Sequence, residues 1–425
     1  MEKNVSKGGR ITLIKSTLSS LPTYFLSLFP IQSSVANKIK KIQRDFLWGG
    51  LGDEFKYHSV NWRSICLPIQ EGGLGVKQMA AFNNAFEWHW RFATEKRALW
   101  REVIVSKYGS GRGDWSSLEG RGGHGVGLWK HIQSGWSGFA KYVSFSIGVG
   151  TLVSFWLDRW CEEGVLHSLF PALYNIAQDK HTKVSDYLSW HNDEMVWSVK
   201  LLRSLQDWEV EEFMVFMDFL YKQKVKKADM DSMRWNHTKS GLFEVRSFYR
   251  LLRGSSTTQF PWKNVWKIKV PSKVAFFLWL AAHDKNPTID NLRRWQHYVV
   301  EWCFMCKRDS ETGKHLFLHC DYVRELWSLV FCMFGIQWTM PHTVSNLLAC
   351  WKRNGLTKDQ NTIWNAIPGC LMWLIWRERN QRVFEDIERH TVDLKLSFIR
   401  TLMEWMAVLS SQAFPSIITF IDECM

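Results

Sequence analysis

Apolar residues recur at helical spacing along most of the 425-residue chain. Two shorter stretches alternate instead, one around Gly148 and Gly150 and one that turns at residues 239–241, and both predict small β-hairpins. Taken together, the patterns predict a fold that is mainly α with small β-hairpins (α+β). The longest helical stretches are predicted over residues 10–47 (broken at Pro22 and Pro30), 74–107, 209–222, 344–351, 364–384 and 392–409.

Composition places the chain among globular proteins, because 46% of its residues are hydrophobic and only 22% are charged. The formal net charge of +13 at pH 7 indicates an anionic partner, either nucleic acid or an anionic membrane surface. The alternative is that the protein is basic but binds no specific anionic partner, because many soluble proteins have such a composition. Charge alone therefore does not select among these alternatives.

Cysteine usage and the N-terminus predict a reducing intracellular compartment. The nine cysteines do not form a disulfide framework, and residues 1–10 are polar and charged rather than a secretory signal. The longest apolar run, Ile363–Trp376, is interrupted by Asn365 and Pro368 and is too short to span a bilayer. We therefore expect no membrane insertion and interpret this run as a buried core helix.

The strongest chemical signal is the segment from Cys303 to Cys320. Cys303 and Cys306 have C-x2-C spacing, His315 follows after eight residues, and Cys320 comes after four more. Two thiolates from one turn and two further ligands from a following helix complete the tetrahedron of a zinc ion. Four protein ligands leave no open position on the metal, so the segment predicts a structural zinc site.

Two alternatives remain open for these residues. The cysteines are also compatible with ordinary buried thiols beside an amphipathic helix, and one C-x2-C alone is compatible with a redox pair. The fourth ligand is ambiguous as well, because His319 lies four residues after His315 and shares a helix face with it. Cys320 is the preferred fourth ligand, and His319 is the alternative.

The same segment resembles the zinc-binding region of plant LINE-type, non-LTR retrotransposon reverse transcriptases. The resemblance starts from Glu311, the HLFLHC run at 315–320 and Trp327. It extends over most of the chain, in the order expected for those elements. The similar stretches are 7–30, 42–50 and 71–76 (after the polymerase core), 231–249 and 266–279 (start of the zinc-binding region), and 373–385 (the C-terminal helix).

The resemblance implies a nucleic-acid partner, either RNA or single-stranded DNA, and a nuclear location. It is compatible with a basic helix, carrying Lys38, Lys41 and Arg44, that follows the template backbone, and a solvated helix face explains these cations at least as well. Arg377, Arg379 and Arg382 alternate with aromatic residues, an arrangement that can bind phosphates and stack bases. An amphipathic helix with buried tryptophans is the preferred explanation of this second pattern, because the aromatic residues recur at helical spacing.

The chain lacks the residues of a polymerase active site. Polymerases hold two metal ions with paired carboxylates, and no Asp-Asp pair occurs in the sequence. G-x-S-x-G and H-E-x-x-H motifs are also absent. We therefore predict no catalytic residues and a non-catalytic, zinc-binding remnant of such a reverse transcriptase. The alternatives are a domesticated protein-interaction or structural protein, an active enzyme with an unrecognised site, and a decayed product without a selected function.

The resemblance and the change in pattern along the chain predict a multi-domain organisation in four segments. Its C-terminal half contains the zinc knuckle. The segments are 1–108 (helical, after the polymerase core), 109–230 (glycine-rich loop, small hairpin and connecting helix), 231–335 (zinc-binding domain) and 336–425 (helical tail).

Overall fold

The computed structural model is mainly helical with two small antiparallel sheets, which confirms the predicted fold class. Its chain forms two compact units, the first from residues 1–22, 34–78 and 256–425 and the second from 23–33 and 79–255. The four-segment division stays a prediction about the sequence, and Pro22 and Pro30 lie outside the described residues. The structure describes residues 6–20, 25–26, 29, 31–49, 57–85, 87–119, 127–192, 194–223, 225, 229–254, 259–297, 299–410 and 414–424.

The first unit is built almost entirely from helices. Its α-helices are Lys7–Leu13, Ser33–Trp48, Trp62–Ile65, Lys263–Trp266, Ser272–Ala282, Ile289–Arg294, Asp321–Met333, Val344–Cys350, Lys358–Phe384, Thr391–Ser410 and Ile417–Cys424. Two π-helical turns, Ile14–Leu18 and His315–His319, and a 3₁₀ turn, Ile69–Glu71, complete it.

The Lys358–Phe384 helix forms the centre of this unit and contains Pro368. A proline inside a helix leaves the carbonyl four residues earlier without its backbone donor, here the carbonyl of Trp364. The indole N–H of Trp351 donates to that carbonyl at 2.8 Å, and the two tryptophan rings stack with centroids 4.3 Å apart. The proline is therefore accommodated by a neighbouring side chain, and the helix continues.

The run Ile363–Trp376 lies within this helix and is largely buried, as predicted for a core helix. Next to Pro368, a Cβ added at Gly369 would meet Leu278 at 3.1 Å, so glycine permits the close approach of the Ser272–Ala282 helix. That second helix is buried on nearly every side. Over the described ranges, no helix combines the length and the apolar character needed to cross a membrane.

The second unit combines short helices with four strands around an aromatic core. The strands are β1 (Val143–Ser146), β2 (Leu188–His191), β3 (Glu194–Trp197) and β4 (Ser232–Trp235). Among its most buried rings are those of Phe139, Phe155, Trp156, Phe216 and Trp235. Its α-helices are Met79–Asn84, Trp88–Thr94, Leu99–Tyr108, Leu128–Ser134, Trp136–Ala140, Leu166–Leu169, Pro171–Asn175, Asp207–Tyr221 and Val245–Arg253, with 3₁₀ turns at Arg112–Asp114 and Val184–Asp186.

Both predicted hairpins are wrong, because β1, from the first predicted region, pairs with β4, from the second, and neither region forms a hairpin of its own. β1 and β4 form an antiparallel sheet in which Val143 lies opposite Trp235. The hairpin that does form joins β2 to β3, outside both of the stretches in which hairpins were predicted. The missed signal is the two-residue connection, in which Asn192 adopts a left-handed conformation with φ of 48°.

The pairing of β1 with β4 is anchored by the buried carboxylate of Asp231. Its two oxygens accept backbone N–H bonds from Gly148, Gly150 and Leu152, each at 2.8 Å. Gly148 cannot carry a side chain there, because a Cβ would lie 1.9 Å from the carbonyl oxygen of Asp229. The two glycines therefore belong to a long-range contact with Asp231 and not to a local turn.

Asp231→Asn should lower the free energy of unfolding of the second unit by about 1.5–3 kcal/mol. The substitution removes the negative charge and replaces one of the two oxygens that accept backbone N–H bonds by an amide nitrogen, which cannot accept them. Glu163→Gln, at an exposed carboxylate of the same unit, is the control and should change stability by less than about 0.5 kcal/mol. Urea unfolding followed by tryptophan fluorescence measures both. Equal stability of the two variants would contradict the anchoring role.

The predicted core helix over 74–107 is divided into three helices, and part of its apolar stripe is exposed. Leu99 is 79% and Val103 66% exposed, whereas Arg101 is buried. The guanidinium of Arg101 donates to the carbonyl of Phe92 at 2.7 Å and pairs with Asp114 at 2.6 Å. The apolar pattern predicted the wrong inward face here, because Arg101, whose guanidinium has partners within the protein, occupies the inward position.

Candidate metal centre

The structure brings the four predicted ligand residues together. The sulfur atoms of Cys303, Cys306 and Cys320 and a ring nitrogen of His315 all lie within 4.8 Å of one another. Ligands bound to one zinc at 2.0–2.3 Å would be separated by roughly 3.5–3.8 Å. The sulfur of Cys306 already lies 3.4 Å from Nε2 of His315, so only small shifts separate this cluster from a tetrahedral site.

A tight turn positions the first two cysteines. The N–H of Lys307 donates to the carbonyl of Cys303 at 2.7 Å, and the N–H of Cys303 donates to the carbonyl of Asp309 at 2.6 Å. Lys307 adopts the left-handed conformation, with φ of 56°, which turns the chain back after the second cysteine. Since Trp302 and Ser310 form an isolated antiparallel bridge, the turn has the shape of a knuckle.

The other two residues lie at the two ends of a single π-helical turn, His315–His319: His315 begins the turn, and Cys320 directly follows it. The N–H of Cys320 donates to the carbonyl of His315 at 2.8 Å, and Cys320 itself is extended and precedes the Asp321–Met333 helix. The sequence predicted that both of these ligands come from one following helix, and this is wrong at Cys320, where the helix is interrupted. After this break, the buried thiol of Cys320 lies within 4.8 Å of the other three ligand atoms.

His319 lies outside the cluster. Its side chain is exposed, and its ring is 6.5 Å from that of His342, an arrangement that does not involve the cysteines. The group of four within 4.8 Å contains Cys320 and not His319. Among the residues that the structure describes, the geometry thus favours the preferred ligand set over its alternative.

The clustered side chains share protons with one another. The hydrogen bond between Cys303 and Cys320 raises the pKa of Cys303 to about 12 and lowers that of Cys320. Hydrogen bonding to Cys303 likewise raises the pKa of His315 to about 9. Thiolates and neutral imidazole are the forms that bind metals, so a bound cation would replace these shared protons.

The second nitrogen of His315 faces a carboxylate. Nδ1 lies 3.9 Å from Oδ2 of Asp309, whereas Nε2 faces the sulfur of Cys306. Histidines that bind metals usually direct their other ring nitrogen toward a carboxylate or a carbonyl, which orients the ring. Asp309 therefore lies where an outer carboxylate partner of a metal-bound histidine is expected.

A buried ion pair attaches the knuckle to the central helix of the first unit. Glu311 lies between the second cysteine and the histidine, and its carboxylate accepts from Nη2 of Arg379 at 2.8 Å and from Nε at 3.1 Å. The exposed fractions are 0% for Glu311 and 3% for Arg379. The carboxylate also accepts the N–H of Ile289 at 3.2 Å. This role of Glu311 was not predicted from the sequence, in which its local signal is an acidic residue in a loop with little apolar side chain.

A second arginine of the same helix contacts the knuckle directly. Nη1 of Arg382 donates to the carbonyl of Met305, the residue before the second cysteine, at 3.1 Å. Its Nε donates to Glu378 at 2.9 Å, one helical turn earlier, and both side chains are buried. The Lys358–Phe384 helix thus holds both the knuckle turn and the residue that follows it.

These contacts correct part of the predicted nucleic-acid interface. Arg379 and Arg382 are interior residues with carboxylate partners, so their guanidinium groups are not available to phosphates. Arg377 is exposed on the same helix, and its predicted role stays a prediction. The alternation of arginine and aromatic residues reflects packing at Arg379, whose guanidinium lies 5.3 Å from the ring of Trp376.

The predicted basic helix, Ser33–Trp48, lies in the first unit for all but its first residue. Lys38 and Lys41 are exposed and share one face, whereas Arg44 is partly buried and lies 3.7 Å from Asp45. The buried face is formed by Gln43, Leu47 and Trp48. Two of the three predicted cations are therefore accessible, and their contact with nucleic acid stays a prediction.

Comparison with known proteins agrees with this location of the site. Residues 243–327 match the family model described as zinc-binding in reverse transcriptase, a range that contains all four clustered residues. The chain is 26% identical over 413 residues to a protein of Arabidopsis thaliana named "Putative ribonuclease H protein", which covers 90% of this chain and 62% of that protein. The chain thus spans less than two thirds of that relative, and its cysteine–histidine cluster lies in a region similar to the zinc-binding region of reverse transcriptases.

Proposed function

We propose that Cys303, Cys306, His315 and Cys320 hold one Zn²⁺ in a closed, structural site. The supporting observation is the convergence of three sulfurs and one imidazole nitrogen within 4.8 Å. Soft sulfur and imidazole ligands favour zinc over magnesium or calcium. With four protein ligands, the ion supplies folding energy and has no open position for a substrate.

In this proposal the ion makes the 303–320 segment rigid and seats it on the central helix. Cys303 and Cys320 are buried, but the turn between Cys306 and Asp309 is polar and has little apolar side chain to bury. Glu311 and the carbonyl of Met305 bind Arg379 and Arg382 only when the turn has its folded shape. Metal binding and the buried ion pair therefore stabilise the same conformation.

The function of the whole chain is proposed to be nucleic-acid binding without catalysis. It would be the C-terminal part of a plant LINE-type reverse transcriptase that lacks the polymerase carboxylates. The match over 243–327, the net charge of +13 and the exposed Lys38 and Lys41 support this. The site needs reduced cysteines, which a reducing compartment would preserve. The resemblance to reverse transcriptases implies that this compartment is the nucleus.

Salt dependence tests the nucleic-acid proposal. The chain should bind a labelled single-stranded oligonucleotide with an affinity that falls as salt rises, because bound phosphates release counterions. Replacing Lys38 and Lys41 by alanine should flatten the slope of log K against log [salt] by about 1.4, at about 0.7 for each phosphate that is no longer neutralised. Fluorescence anisotropy measures the slope over salt concentrations from about 50 to 300 mM, which is about a sixfold range.

The matched control removes two other exposed lysines of the same unit, Lys352 and Lys358. That variant has the same net charge as the Lys38→Ala, Lys41→Ala variant, so it should keep the slope of the unmodified chain if binding is localised. An affinity independent of salt would contradict nucleic-acid binding. Equal slopes for the two double variants would contradict the assignment of this helix to the interface.

A further inference from the structure

We propose that the outer face of the Asp207–Tyr221 helix docks a basic amphipathic helix of a partner protein. The inference does not depend on the nucleic-acid proposal, because it concerns other residues, of opposite charge. The inner side of this helix is already used. Phe216 and Leu220 are buried in the aromatic core of the second unit, and Phe213 packs against that core.

Large apolar side chains are exposed along the outer side of the same helix. Trp208 is 76%, Met214 67% and Val215 58% exposed, and Val210 and Tyr221 are exposed as well. Met214 lies four residues after Val210 and seven before Tyr221, so these three side chains form one stripe along the helix. A single exposed apolar residue needs no explanation, whereas a contiguous exposed apolar patch marks an interaction site.

A row of carboxylates runs beside this stripe. Asp207, Glu211 and Asp218 are exposed and follow one another at intervals of four and seven residues, so they share one side of the helix. The helix contains no lysine or arginine, although the chain as a whole has a formal net charge of +13. Its outer face is therefore acidic on a basic protein.

The cation nearest to this row in sequence does not neutralise it. Lys222, which directly follows the helix, pairs with Asp218, and the exposed fractions of the two side chains are 71% and 65%. Ion pairs this exposed are weak, so a cation from a partner can compete for the carboxylate. Glu211 and Asp207 remain as further acidic groups of the same row.

An apolar stripe beside an acidic row selects one kind of occupant. A helix with apolar residues spaced four and three apart would bury the stripe, and lysines or arginines next to them would meet the carboxylates. Trp208 and Val215 follow on the other side of the acidic row, where they suit the aliphatic stem of such a cation. Nucleic acid does not fit this face, because the carboxylates repel phosphates.

A second copy of the same face does not fit either. Two copies packed on each other would bring two acidic rows to one interface, and neither helix contains a basic residue to compensate them. Like charges brought together at an interface are unfavourable and suppress the wrong partner. The occupant should therefore share the apolar spacing of this face and carry the opposite charge.

Two synthetic peptides test the charge preference. Each has about 18 residues, enough to run along the whole helix at 1.5 Å per residue. Both carry leucines spaced alternately four and three apart, flanked by lysines in one peptide and by glutamates in the other. Fluorescence anisotropy of the labelled peptides, in about 150 mM salt to screen distant charges, measures their affinity for the full chain. The lysine peptide should bind at least about fivefold more tightly than the glutamate peptide, and equal affinities would overturn the proposal.

Met214→Asn tests the apolar stripe without changing the charge. It should weaken the lysine peptide at least about fivefold, because the peptide loses its central apolar contact. Val103→Asn is the matched control, since Val103 is 66% exposed on another helix of the same unit. It should leave the affinity unchanged, and thermal unfolding should show that both variants keep the stability of the unmodified chain. An unchanged affinity in Met214→Asn, or an equal loss in the control, would overturn the assignment to this face.

Reversing the acidic row tests the recognition itself. Combined Glu211→Lys and Asp218→Lys should make the chain prefer the glutamate peptide. Glu162→Lys with Glu163→Lys, at two exposed carboxylates of the same unit, makes the same change in net charge and should keep the preference for the lysine peptide. A reversal in both double variants would show attraction to net charge only and overturn the site. Self-association of the chain that Met214→Asn abolishes, without binding of the lysine peptide, would replace the basic partner by a second copy and overturn the proposal.

Discussion

Cys303→Ser should reduce the zinc content of the purified chain from one ion to none and unfold the knuckle. Structural zinc sites bind with apparent free energies of about 10–16 kcal/mol in small peptides, and this energy is folding energy. The segment between Cys303 and Cys320 has few apolar side chains outside its cysteines and the 316–318 run, so it cannot replace that contribution. Elemental analysis of the purified protein, together with limited proteolysis within residues 303–320, measures both effects.

Cys332→Ser is the control, because Cys332 is exposed and lies outside the cluster. It should keep one zinc and the proteolysis pattern of the unmodified chain. His315→Ala should behave like Cys303→Ser, and His319→Ala like the control, since the ring of His319 does not face the sulfurs. An unmodified chain that is purified without zinc and takes up none would contradict the site, and so would full zinc content in the Cys303→Ser variant.

Glu311→Gln should lower the free energy of unfolding of the first unit by about 3–5 kcal/mol, because it leaves the buried guanidinium of Arg379 without its counter-charge. The substitution does not touch a ligand atom, but it loosens the attachment of the knuckle to the central helix. We therefore also expect weaker retention of zinc against a chelator. Chemical unfolding and the rate of zinc release to a colorimetric chelator measure the two effects.

Glu325→Gln provides the exposed counterpart. Glu325 pairs with Lys395 at 3.3 Å with 59% of its side chain exposed, so its loss should cost less than about 1 kcal/mol. Replacing Glu311 and Arg379 together by leucine and methionine should recover most of the stability lost in Glu311→Gln, because no buried charge remains unpaired. If Glu311→Gln is no worse than Glu325→Gln, the buried pair does not attach the knuckle.

The residues of the candidate site could be singled out from the sequence because their signal is local. Cys303, Cys306, His315 and Cys320 lie within 18 residues, and the spacing of cysteines and histidines in a short loop directly limits what they can reach. The choice between Cys320 and His319 was not local in the same sense. It depended on a π turn that replaces the expected α-helical geometry, for which the apolar pattern has no distinct signature.

Assignment of the basic residues failed where the partner is distant. Arg377, Arg379 and Arg382 have the same charge and similar neighbours, but only Arg377 is exposed. The partner of Arg379 is Glu311, 68 residues earlier, and no window of sequence around the arginine contains it. Composition and charge count cations without distinguishing those that are already neutralised by buried carboxylates.

The sequence by itself determined the helical character of the chain and the set of residues able to hold a metal, because periodicity and ligand spacing are properties of short segments. Tertiary structure alone decided which strands pair, which arginines are interior and which apolar side chains stay exposed. Asp231, for example, binds Gly148 across 83 residues of sequence. The physical reason is that buried polar groups must find partners, and those partners come from wherever the folded chain brings them.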